Sequence, residues 1–376
     1  MAFTAPDTTD NENLAAQSAA AQRVGLRAKL RAVALDYRLR LCGKAVVSEH
    51  GAALIFSGSP GAWKGRWSGV LACKRIWTCP VCSAKLRAER LGRALGAMNA
   101  LGGRWQMLTF TVRHQAGDDP QQLLRGEMRA LARMRRVRAI GAIWKRAVTA
   151  SVRATEMTFG RNGWNPHLHV LFRLKQLTSD ERTALRHAWR DAVARELGEK
   201  HAPMLGRGLR LSKALVVEST PPEKLAGYLF KLGCEIAGVA KVPHKGAMSS
   251  WDVAVLATER DAQEHAWGAW SEFQVATKGR RMIELDDRAA RAAKGAVILP
   301  FGVEIDCKDD TPPPVTRELE LTSDELRALG RMERTDRFAL IRPMLEASTA
   351  HDPCEAARGV IARAVELDAP PARAPP

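Results

Sequence analysis

Two histidines one residue apart stand inside an apolar stretch of the chain, PHLHVLF at residues 166–172. If this stretch is a strand, residues i and i+2 point to the same face, so His167 and His169 lie side by side and the residues between and after them face the other way. Neutral imidazole is the commonest metal ligand, and two parallel rings supply half of a metal site. A hydrogen-bonded structural pair is the competing interpretation.

A carboxylate is available on the preceding predicted strand, SVRATEMTF at residues 151–159. The turn RNGW at 161–164 predicts a hairpin between this strand and the histidine strand. Such a hairpin would bring Glu156 near both imidazoles, and two nitrogens with one carboxylate suit a divalent cation that polarises a phosphate oxygen. An ion pair between Glu156 and a neighbouring arginine is the alternative.

A nucleophile is suggested by YLFK at residues 228–231, since the chain has two tyrosines, Tyr37 and Tyr228. Lys231 follows Tyr228 by three residues, and positions i and i+3 of a helix share a face, so the phenol and the ammonium can point at the same phosphate. A phenol with an ordinary pKa of about 10 needs a cation nearby before it attacks at neutral pH. The other interpretation is a core aromatic residue with a hydrogen-bonded hydroxyl.

Four of the seven cysteines form a pattern that is typical of a metal site, namely Cys42 in LRLCGK, and Cys73, Cys79 and Cys82 in CKRIWTCPVC. The two-residue gap between Cys79 and Cys82 lets both sulfurs reach one tetrahedral ion from a tight turn, and the other two cysteines can complete the site. We therefore predict a structural zinc ion. Because the spacing of the outer two cysteines is irregular, a redox pair or unrelated buried thiols would be the other explanation.

The elements that carry these residues follow a definite order. Strands are predicted at 104–114, 151–159, 166–172 and 209–219, and helices at about 120–150, from the start signal at Ser179 to Gly198, and after Pro222. This order favours an α+β fold with an antiparallel sheet over a series of βαβ units. An amidohydrolase barrel also uses His-x-His on a strand, but it needs eight strand-helix units, which this order does not supply.

The charge of the chain indicates its class of partner. The 376 residues include 58 Lys and Arg against 41 Asp and Glu, a net charge of +17, and 46% are hydrophobic. Residues 300–376 hold 10 Lys and Arg and 15 Asp and Glu, so the positive excess lies in residues 1–299. A basic body with enough apolar residues for a core favours nucleic acid as the partner. No stretch resembles a secretion signal or a membrane span, so we expect a cytoplasmic protein without a membrane partner.

Three stretches together resemble the motifs of the HUH endonucleases, and specifically the rolling-circle replication initiators of small bacterial plasmids. They are TFTVRH, GWNPHLHVLF and LAGYLFK, in that order. The stretches RLCGK, CKRIWTCPVCSAKLRAER and WSEFQVATKGRRMIEL are also similar to initiators of actinobacterial and related plasmids. The resemblance covers roughly residues 37–290 and implies an HUH fold with a central antiparallel sheet of about five strands and flanking helices.

The resemblance also implies a mechanism. His167 and His169, with Glu156, would bind Mg²⁺ or Mn²⁺ at the scissile phosphate of single-stranded or supercoiled origin DNA. Tyr228 would attack this phosphate, form a 5′-phosphotyrosyl link and free a 3′-OH as a primer, while Lys231 would stabilise the transferring charge. The same site would rejoin ends to terminate replication. A host helicase and a replicative polymerase are the implied partners.

Two departures from the family pattern affect the remaining residues of the site. The family often has a histidine where this chain has Asn165, whose amide oxygen is a weaker ligand. Single-tyrosine relatives often have a carboxylate one helical turn before the tyrosine for the terminating cleavage. Here the nearest acid is Glu223, five residues before Tyr228, which can serve only if the helix starts after it. His114 of the first motif would lie close to the metal site as an accessory residue.

Composition divides the chain into four parts. We expect a disordered arm at 1–25, a zinc-binding segment at 26–98, the HUH endonuclease domain at 99–295, and an acidic, helical extension with a Pro-rich end at 296–376. The extension would either contact a host replication protein or cap the core. Trp164 is a candidate for base stacking. The residues expected to contact DNA phosphates are Arg133, Arg136, Lys278, Arg280 and Arg281.

Two other functions fit the same residues. An HUH transposase of an insertion sequence shares the zinc, histidine and tyrosine pattern, and the ends of a mobile element beside the coding DNA would identify it. A zinc-stabilised DNA-binding regulator without catalysis would bind DNA but form no covalent adduct, even with Tyr228 intact. The sequence does not determine the oligomeric state.

Overall fold

The computed structural model of the chain divides into two compact units, one of residues 1–83 with 306–376 and one of residues 84–305. The structure describes residues 22–60, 63–174, 177–205, 208–211, 215–216, 247–259, 264–294, 315–332, 343, 346–347 and 350–368. The expected arm at 1–25 lies outside these residues, apart from its last four, which belong to a helical stretch at 22–30. No helix among the described residues is long and apolar enough to cross a bilayer.

The strands and helices are numbered in chain order. The strands are β1 (Ala52–Gly58), β2 (Lys64–Ser68), β3 (Arg104–Thr111), β4 (Val148–Gly160), β5 (Gly163–Leu174), β6 (Leu209–Leu211), β7 (Leu215–Val216), β8 (Met248–Ser249), β9 (Ile283–Leu285) and β10 (Val315–Leu321). The helices are α1 (Tyr37–Leu41), α2 (Pro80–Leu101), α3 (Pro120–Arg136), α4 (Arg138–Ala147), α5 (Ser179–Leu197), α6 (Ser250–Leu256), α7 (Glu264–Thr277), α8 (Asp287–Lys294), α9 (Ser323–Met332) and α10 (Pro353–Asp368).

The second unit is built on a sheet with the strand order β6-β3-β5-β4-β8, in which β7 also pairs with β3 and β9 with β4. All of these pairings are antiparallel, so the predicted α+β class with an antiparallel sheet is confirmed. β5 is the middle strand, bonded to β3 on one side and to β4 on the other. Gly163, with φ of +81°, follows the two-residue turn between β4 and β5, where glycine adopts the left-handed conformation without a steric penalty.

A large cluster of buried apolar side chains lies on one face of the sheet. Leu168 and Val170 of β5 are almost fully buried and pack with apolar side chains of α3 and α5. Trp189 of α5 packs edge-on against Phe110 of β3, with ring centroids 4.9 Å apart. Because this face is filled by apolar side chains, the polar side chains of β5 project from the other face.

The basic segment predicted as one helix at about 120–150 forms two helices and the start of a strand. α3 ends at Arg136 and α4 begins at Arg138. Val137 between them has φ of −63° and ψ of +124°, an extended conformation that a β-branched residue adopts readily. The single helix was therefore wrong, both at this break and after Ala147, where β4 begins.

The first unit combines residues from both ends of the chain. Its sheet has the order β10-β1-β2, and β10 pairs antiparallel with all seven residues of β1. Leu54 and Phe56 of β1 share one buried core with Leu321 of β10 and Ile361 of α10. The zinc-binding segment and the C-terminal extension, which the sequence suggested as separate parts, thus share a sheet and a core. The extension contributes a strand as well as helices.

We predict that Leu168→Ala lowers the free energy of unfolding by about 2–5 kcal/mol, because it removes a fully buried side chain from the middle strand and leaves a cavity. Urea unfolding followed by circular dichroism measures this change. Val275→Ala, at a side chain 48% exposed, is the control and should change the unfolding free energy by less than about 0.5 kcal/mol. Equal effects of the two substitutions would contradict the assigned core face.

Candidate active site and metal centre

The central strand β5 presents two histidines on the face opposite the apolar core. His167 is the register partner of Glu156 on β4 and of Thr111 on β3. His169 is the register partner of Thr109 on β3. The two imidazole rings are nearly parallel, with an interplanar angle of 4° and centroids 6.2 Å apart. The structure therefore brings the two histidines side by side, as the alternation of a strand requires.

His169 is buried, and its ring is held from both sides. The Thr109 hydroxyl oxygen lies 3.1 Å from Nδ1, and Oε2 of Glu156 lies 3.0 Å from Nε2. Because an ionised carboxylate only accepts, the neutral tautomer that satisfies both contacts donates from Nε2 and accepts at Nδ1. Two neighbouring ligands of an octahedral ion, each about 2.1 Å from it, are about 3.0 Å apart. An ion could therefore take the place of the shared proton with little movement of either side chain.

His167 is half-buried, and the backbone selects its tautomer. Nδ1 lies 3.1 Å from the Asn165 carbonyl oxygen, which can only accept, so Nδ1 carries the proton. Nε2 keeps a lone pair, the state in which an imidazole binds metal. The Asn165 amide Nδ2 lies 3.4 Å from this Nε2, while its Oδ1 is buried and accepts no hydrogen bond from the described residues. A half-turn of the amide would bring Oδ1 beside the Nε2 atom.

The predicted ligands of the histidine face do not form one compact cluster. Glu156 contacts His169, but the ligand atoms of these two residues and of His167 do not all lie within 4.8 Å of one another; within the described part of the chain, the cysteine group does. The face thus offers two adjacent pairs of donors, Glu156 with His169 and Asn165 with His167. Rotation of His167 toward His169 would be needed for both pairs to bind one ion.

An arginine that the sequence analysis did not identify lies near Glu156. Arg87 of α2 is 8% exposed, and burial lowers its pKa to about 10, although the Glu156 carboxylate acts in the opposite direction. Its guanidinium carbon lies 5.8 Å from the centroid of the Trp251 ring. Arg87 therefore places a positive charge near the Glu156 carboxylate. A signal was present in the sequence, because Arg87 shares a helical stripe with the buried residues Leu91 and Ala94.

His114 lies three residues beyond the end of β3 and is half-buried. Burial lowers its pKa, with smaller opposing effects of the Val112 backbone and Asp118. Nδ1 of His201 lies 3.7 Å from Oδ2 of Asp118. His114 therefore lies in the loop after β3, within electrostatic reach of Asp118 in the same loop and of His201, which follows α5.

The three residues predicted for the transfer step itself, Tyr228, Lys231 and Glu223, lie outside the described residues. Their position relative to the histidine face stays a prediction.

Four cysteines of the first unit form a compact sulfur cluster. Cys42, Cys73, Cys79 and Cys82 are buried, and their sulfurs all lie within 4.8 Å of one another. The Cys42 sulfur is 3.9 Å from that of Cys79 and 3.6 Å from that of Cys82, and the Cys73 and Cys82 sulfurs are 3.7 Å apart. A tetrahedral ion with metal–sulfur bonds of about 2.3 Å has sulfur–sulfur edges of about 3.8 Å. The cluster could therefore hold a metal ion.

The backbone turns directly after two of these cysteines. Gly43 and Lys74, which follow Cys42 and Cys73, have φ values of +72° and +55°. A non-glycine residue rarely adopts a positive φ, so the conformation of Lys74 marks a tight turn directly after Cys73. The Cys73 backbone N–H donates to the Cys42 sulfur over 3.5 Å, and hydrogen bonding from the Cys73 thiol is the largest cause that lowers the pKa of Cys42.

The predicted DNA contacts differ in how far carboxylates neutralise them. Arg133 forms an ion pair with Glu196, and Nη1 of Arg281 lies 3.8 Å from Oε1 of Glu284. By contrast, the exposed residues Arg136 and Lys278 form no ion pair with any described residue, and Arg280 packs on α3. The predicted set is therefore not equally available to phosphate.

Trp164 is a core residue, and its interpretation as a base-stacking surface was wrong. It is 2% exposed, and its indole Nε1 donates to the Ala269 carbonyl oxygen over 3.0 Å. The indole also stacks on Phe273, with ring centroids 4.8 Å apart. A tryptophan beside an active-site strand is apolar enough for either role, and here α7 covers it.

Comparison with known proteins agrees with the motifs. A family model described as "Replication protein" matches residues 65–205, a range that contains the histidine strand and three of the four cysteines. "Protein rep" of Streptomyces lividans is 33% identical over 147 residues, which cover 31% of this chain and 32% of that protein. "Neomycin resistance protein" of Streptomyces cyanogenus is 32% identical over 145 residues, which cover 30% of this chain and 33% of that protein.

The chain thus spans about a third of the length of the curated relatives it matches. No solved structure matches it. The resemblance to rolling-circle plasmid replication initiators, inferred from the motifs, is confirmed by the family model and by the two relatives.

We predict that Cys79→Ser removes most of one bound metal ion per chain, because the cluster needs four thiolates to close a tetrahedral site. Elemental analysis of the purified protein measures the metal content. Cys354→Ser is the matched control, since Cys354 is a free cysteine outside the cluster. An unchanged metal content in Cys79→Ser would contradict the metal site.

Proposed function

We propose that this chain, whose residues 65–205 match replication proteins, is a plasmid replication initiator. It would nick single-stranded origin DNA by tyrosine transesterification and rejoin the ends to terminate rolling-circle replication. The observation that carries the proposal is the pair of parallel imidazoles on β5, one of which contacts a buried carboxylate. The net charge of +17 supports a nucleic-acid substrate.

Mg²⁺ or Mn²⁺ would be held by His167, His169 and Glu156, with Asn165 as a further candidate donor. When bound, the ion would supply positive charge that polarises the scissile phosphate. Two observations support this donor set. His169 Nε2 and Glu156 Oε2 are 3.0 Å apart, and the buried Oδ1 of Asn165 accepts no hydrogen bond from the described residues. Three or four protein donors leave positions for phosphate and water on an octahedral ion.

Tyr228 is the nucleophile in this proposal. Its oxygen loses a proton and bonds to phosphorus, the bond from phosphorus to the 3′ oxygen breaks, and that oxygen takes up a proton to become the primer hydroxyl. Lys231 would stabilise the phenolate and the charge on the transferring phosphate. Because the product is again a phosphodiester, attack of a 3′-OH on the tyrosyl ester reverses the step and joins two ends. Glu223 would assist the terminating cleavage, and His114 would be an accessory residue.

The fold and the partners in this proposal follow from the same mechanism. The second unit would have the HUH endonuclease fold, with β5 as the strand that carries the ligands. The four-cysteine cluster would hold a structural zinc ion, because tetrahedral sites of four thiolates are typical of zinc. A host polymerase would extend the primer hydroxyl behind a host helicase.

The first test is covalent attachment. We expect the full chain, incubated with labelled circular single-stranded plasmid DNA and Mn²⁺ and then denatured in detergent, to retain DNA on the protein. Tyr228→Phe should abolish the adduct, because phenylalanine has no nucleophilic oxygen. Tyr37→Phe is the matched control, since Tyr37 is the other tyrosine and is 70% exposed.

An adduct that persists in Tyr228→Phe would contradict the assigned nucleophile. DNA binding by the intact protein without any adduct would contradict nicking and favour the regulator.

The second test concerns the histidine pair. We expect His167→Ala and His169→Ala each to weaken Mn²⁺ binding by about 10- to 100-fold or more, because each removes one nitrogen ligand. Electron paramagnetic resonance of bound Mn²⁺ measures this affinity independently of nicking. His187→Ala, at an exposed position of α5, should bind Mn²⁺ normally. Unchanged Mn²⁺ affinity in all three variants would return the histidine pair to a structural role.

A further inference from the structure

The outer face of α3 carries a stripe of positive charge. Arg125, Arg129 and Arg136 are separated by four and seven residues, so they project from the same side of the helix. All three are exposed, and none forms an ion pair with another described residue. The buried residues of α3, among them Leu123 and Met134, lie on the opposite side. The stripe therefore faces solvent with its charge unneutralised by carboxylates of the described chain.

A fourth arginine joins this stripe from the end of α7. Gly279, with φ of +72°, turns the chain after the helix, and Nη1 of the next residue, Arg280, lies 3.8 Å from Sδ of Met128 on α3. Met128 is the sequence neighbour of Arg129. Burial lowers the pKa of Arg280, and the positive charges of Arg125 and Arg129 lower it further. Two guanidinium groups of α3 are thus within electrostatic reach of a third, which lies just after α7.

Arg125 and Arg129 are like charges on neighbouring turns, and neither forms an ion pair with another described residue, so each repels the other. A bound anion would relieve the repulsion. Guanidinium groups bind phosphate oxygens through paired hydrogen bonds, which makes arginine well suited to phosphate.

A regular array of phosphates fits the stripe better than an irregular acidic peptide does. Arg125 and Arg129 stand about 6 Å apart along the axis of α3, and Arg136 stands about 10 Å beyond Arg129. Each strand of DNA presents one phosphate per about 3.4 Å of axis, so a backbone lying along α3 could meet several arginines.

The stripe and the candidate active site lie on opposite sides of the sheet. α3 packs on the core face of the sheet, whereas His167 and His169 project from the other face. DNA on the stripe is therefore not the segment whose phosphate faces the histidines. We infer that Arg125, Arg129 and Arg280 form a second binding surface, for the phosphate backbone of DNA that flanks the reacting segment. This inference rests on the proposed function for the identity of that DNA.

The test is the salt dependence of DNA binding by the full chain in EDTA, where no metal-dependent cleavage competes. The probes are labelled duplex and single-stranded DNA of random sequence. Replacing three phosphate contacts should lower the magnitude of the slope of log K against log salt by about 2.7 for duplex, or about 2.1 for a single strand. We expect this loss on at least one probe for the triple variant Arg125→Gln, Arg129→Gln, Arg280→Gln. The probe that shows the loss identifies the flanking DNA as duplex or single strand.

The charge-matched control combines Arg146→Gln, Arg190→Gln and Arg358→Gln. Each of these arginines already forms an ion pair, with Glu181, Glu199 and Glu325 respectively. For this control, the slope of log K against log salt should change by less than about 1. The double variant Arg125→Gln, Arg129→Gln changes exposed residues alone and should lose about two thirds of the effect even if the Arg280 substitution unfolds the protein.

Equal slopes for the two triple variants would overturn the inference, because net charge alone would then explain binding. A second result would also overturn it. If polyglutamate competed with DNA for the intact chain and the control but not for the triple variant of the surface, while the salt dependence of DNA binding stayed unchanged, the surface would fit an acidic protein instead. If the triple variant shows the expected loss of salt dependence but the intact chain forms no covalent adduct, the result supports the surface and contradicts the nicking proposal. If the intact chain forms the adduct but the triple variant keeps the salt dependence of the intact chain, only the surface is contradicted.

Discussion

The register of β5 is the constraint on which the rest of the second unit depends. β5 is bonded along both edges, to β3 and to β4, and side chains alternate with a period of two. A shift of one residue would turn His167 and His169 into the apolar core and expose Leu168 and Val170. Each buried aliphatic side chain contributes about 1.5–3 kcal/mol, so the core strongly disfavours that shift. Apolar packing on one face thereby determines which polar groups meet on the other.

Charge is arranged differently on the two sides of this sheet. On the histidine face, Glu156 is buried against His169 and close to Arg87, and burial strengthens these interactions while requiring that each charge be compensated. On the outer face of α3, Arg125 and Arg129 are exposed and screened by salt. The first arrangement suits one ion in a defined position, and the second suits a polyanion that can bind in many registers.

Features that depend on short spacing could be predicted from the sequence alone. The i and i+2 relation of the histidines, the two-residue gap between Cys79 and Cys82, and the turn that pairs β4 with β5 each involve a few neighbouring residues, whose geometry follows from the backbone. The α+β class follows from the order of such elements. The same reasoning was wrong at Val137, where a continuous basic pattern concealed a break that a β-branched residue favours.

Contacts between distant residues were decided only by the tertiary structure. Glu156 contacts His169, which stands two residues from its register partner His167, and this contact depends on side-chain rotamers within the packed sheet. Arg87 comes near Glu156 because α2 brings it there, and β10 joins β1 from the far end of the chain. The sequence by itself determined how many arginines the basic body holds and where they stand in the chain. The packing of the helices decides which of these arginines pair with carboxylates and which remain for phosphate. An ion pair needs a partner within about 4 Å, and the sequence alone does not show which residues come that close.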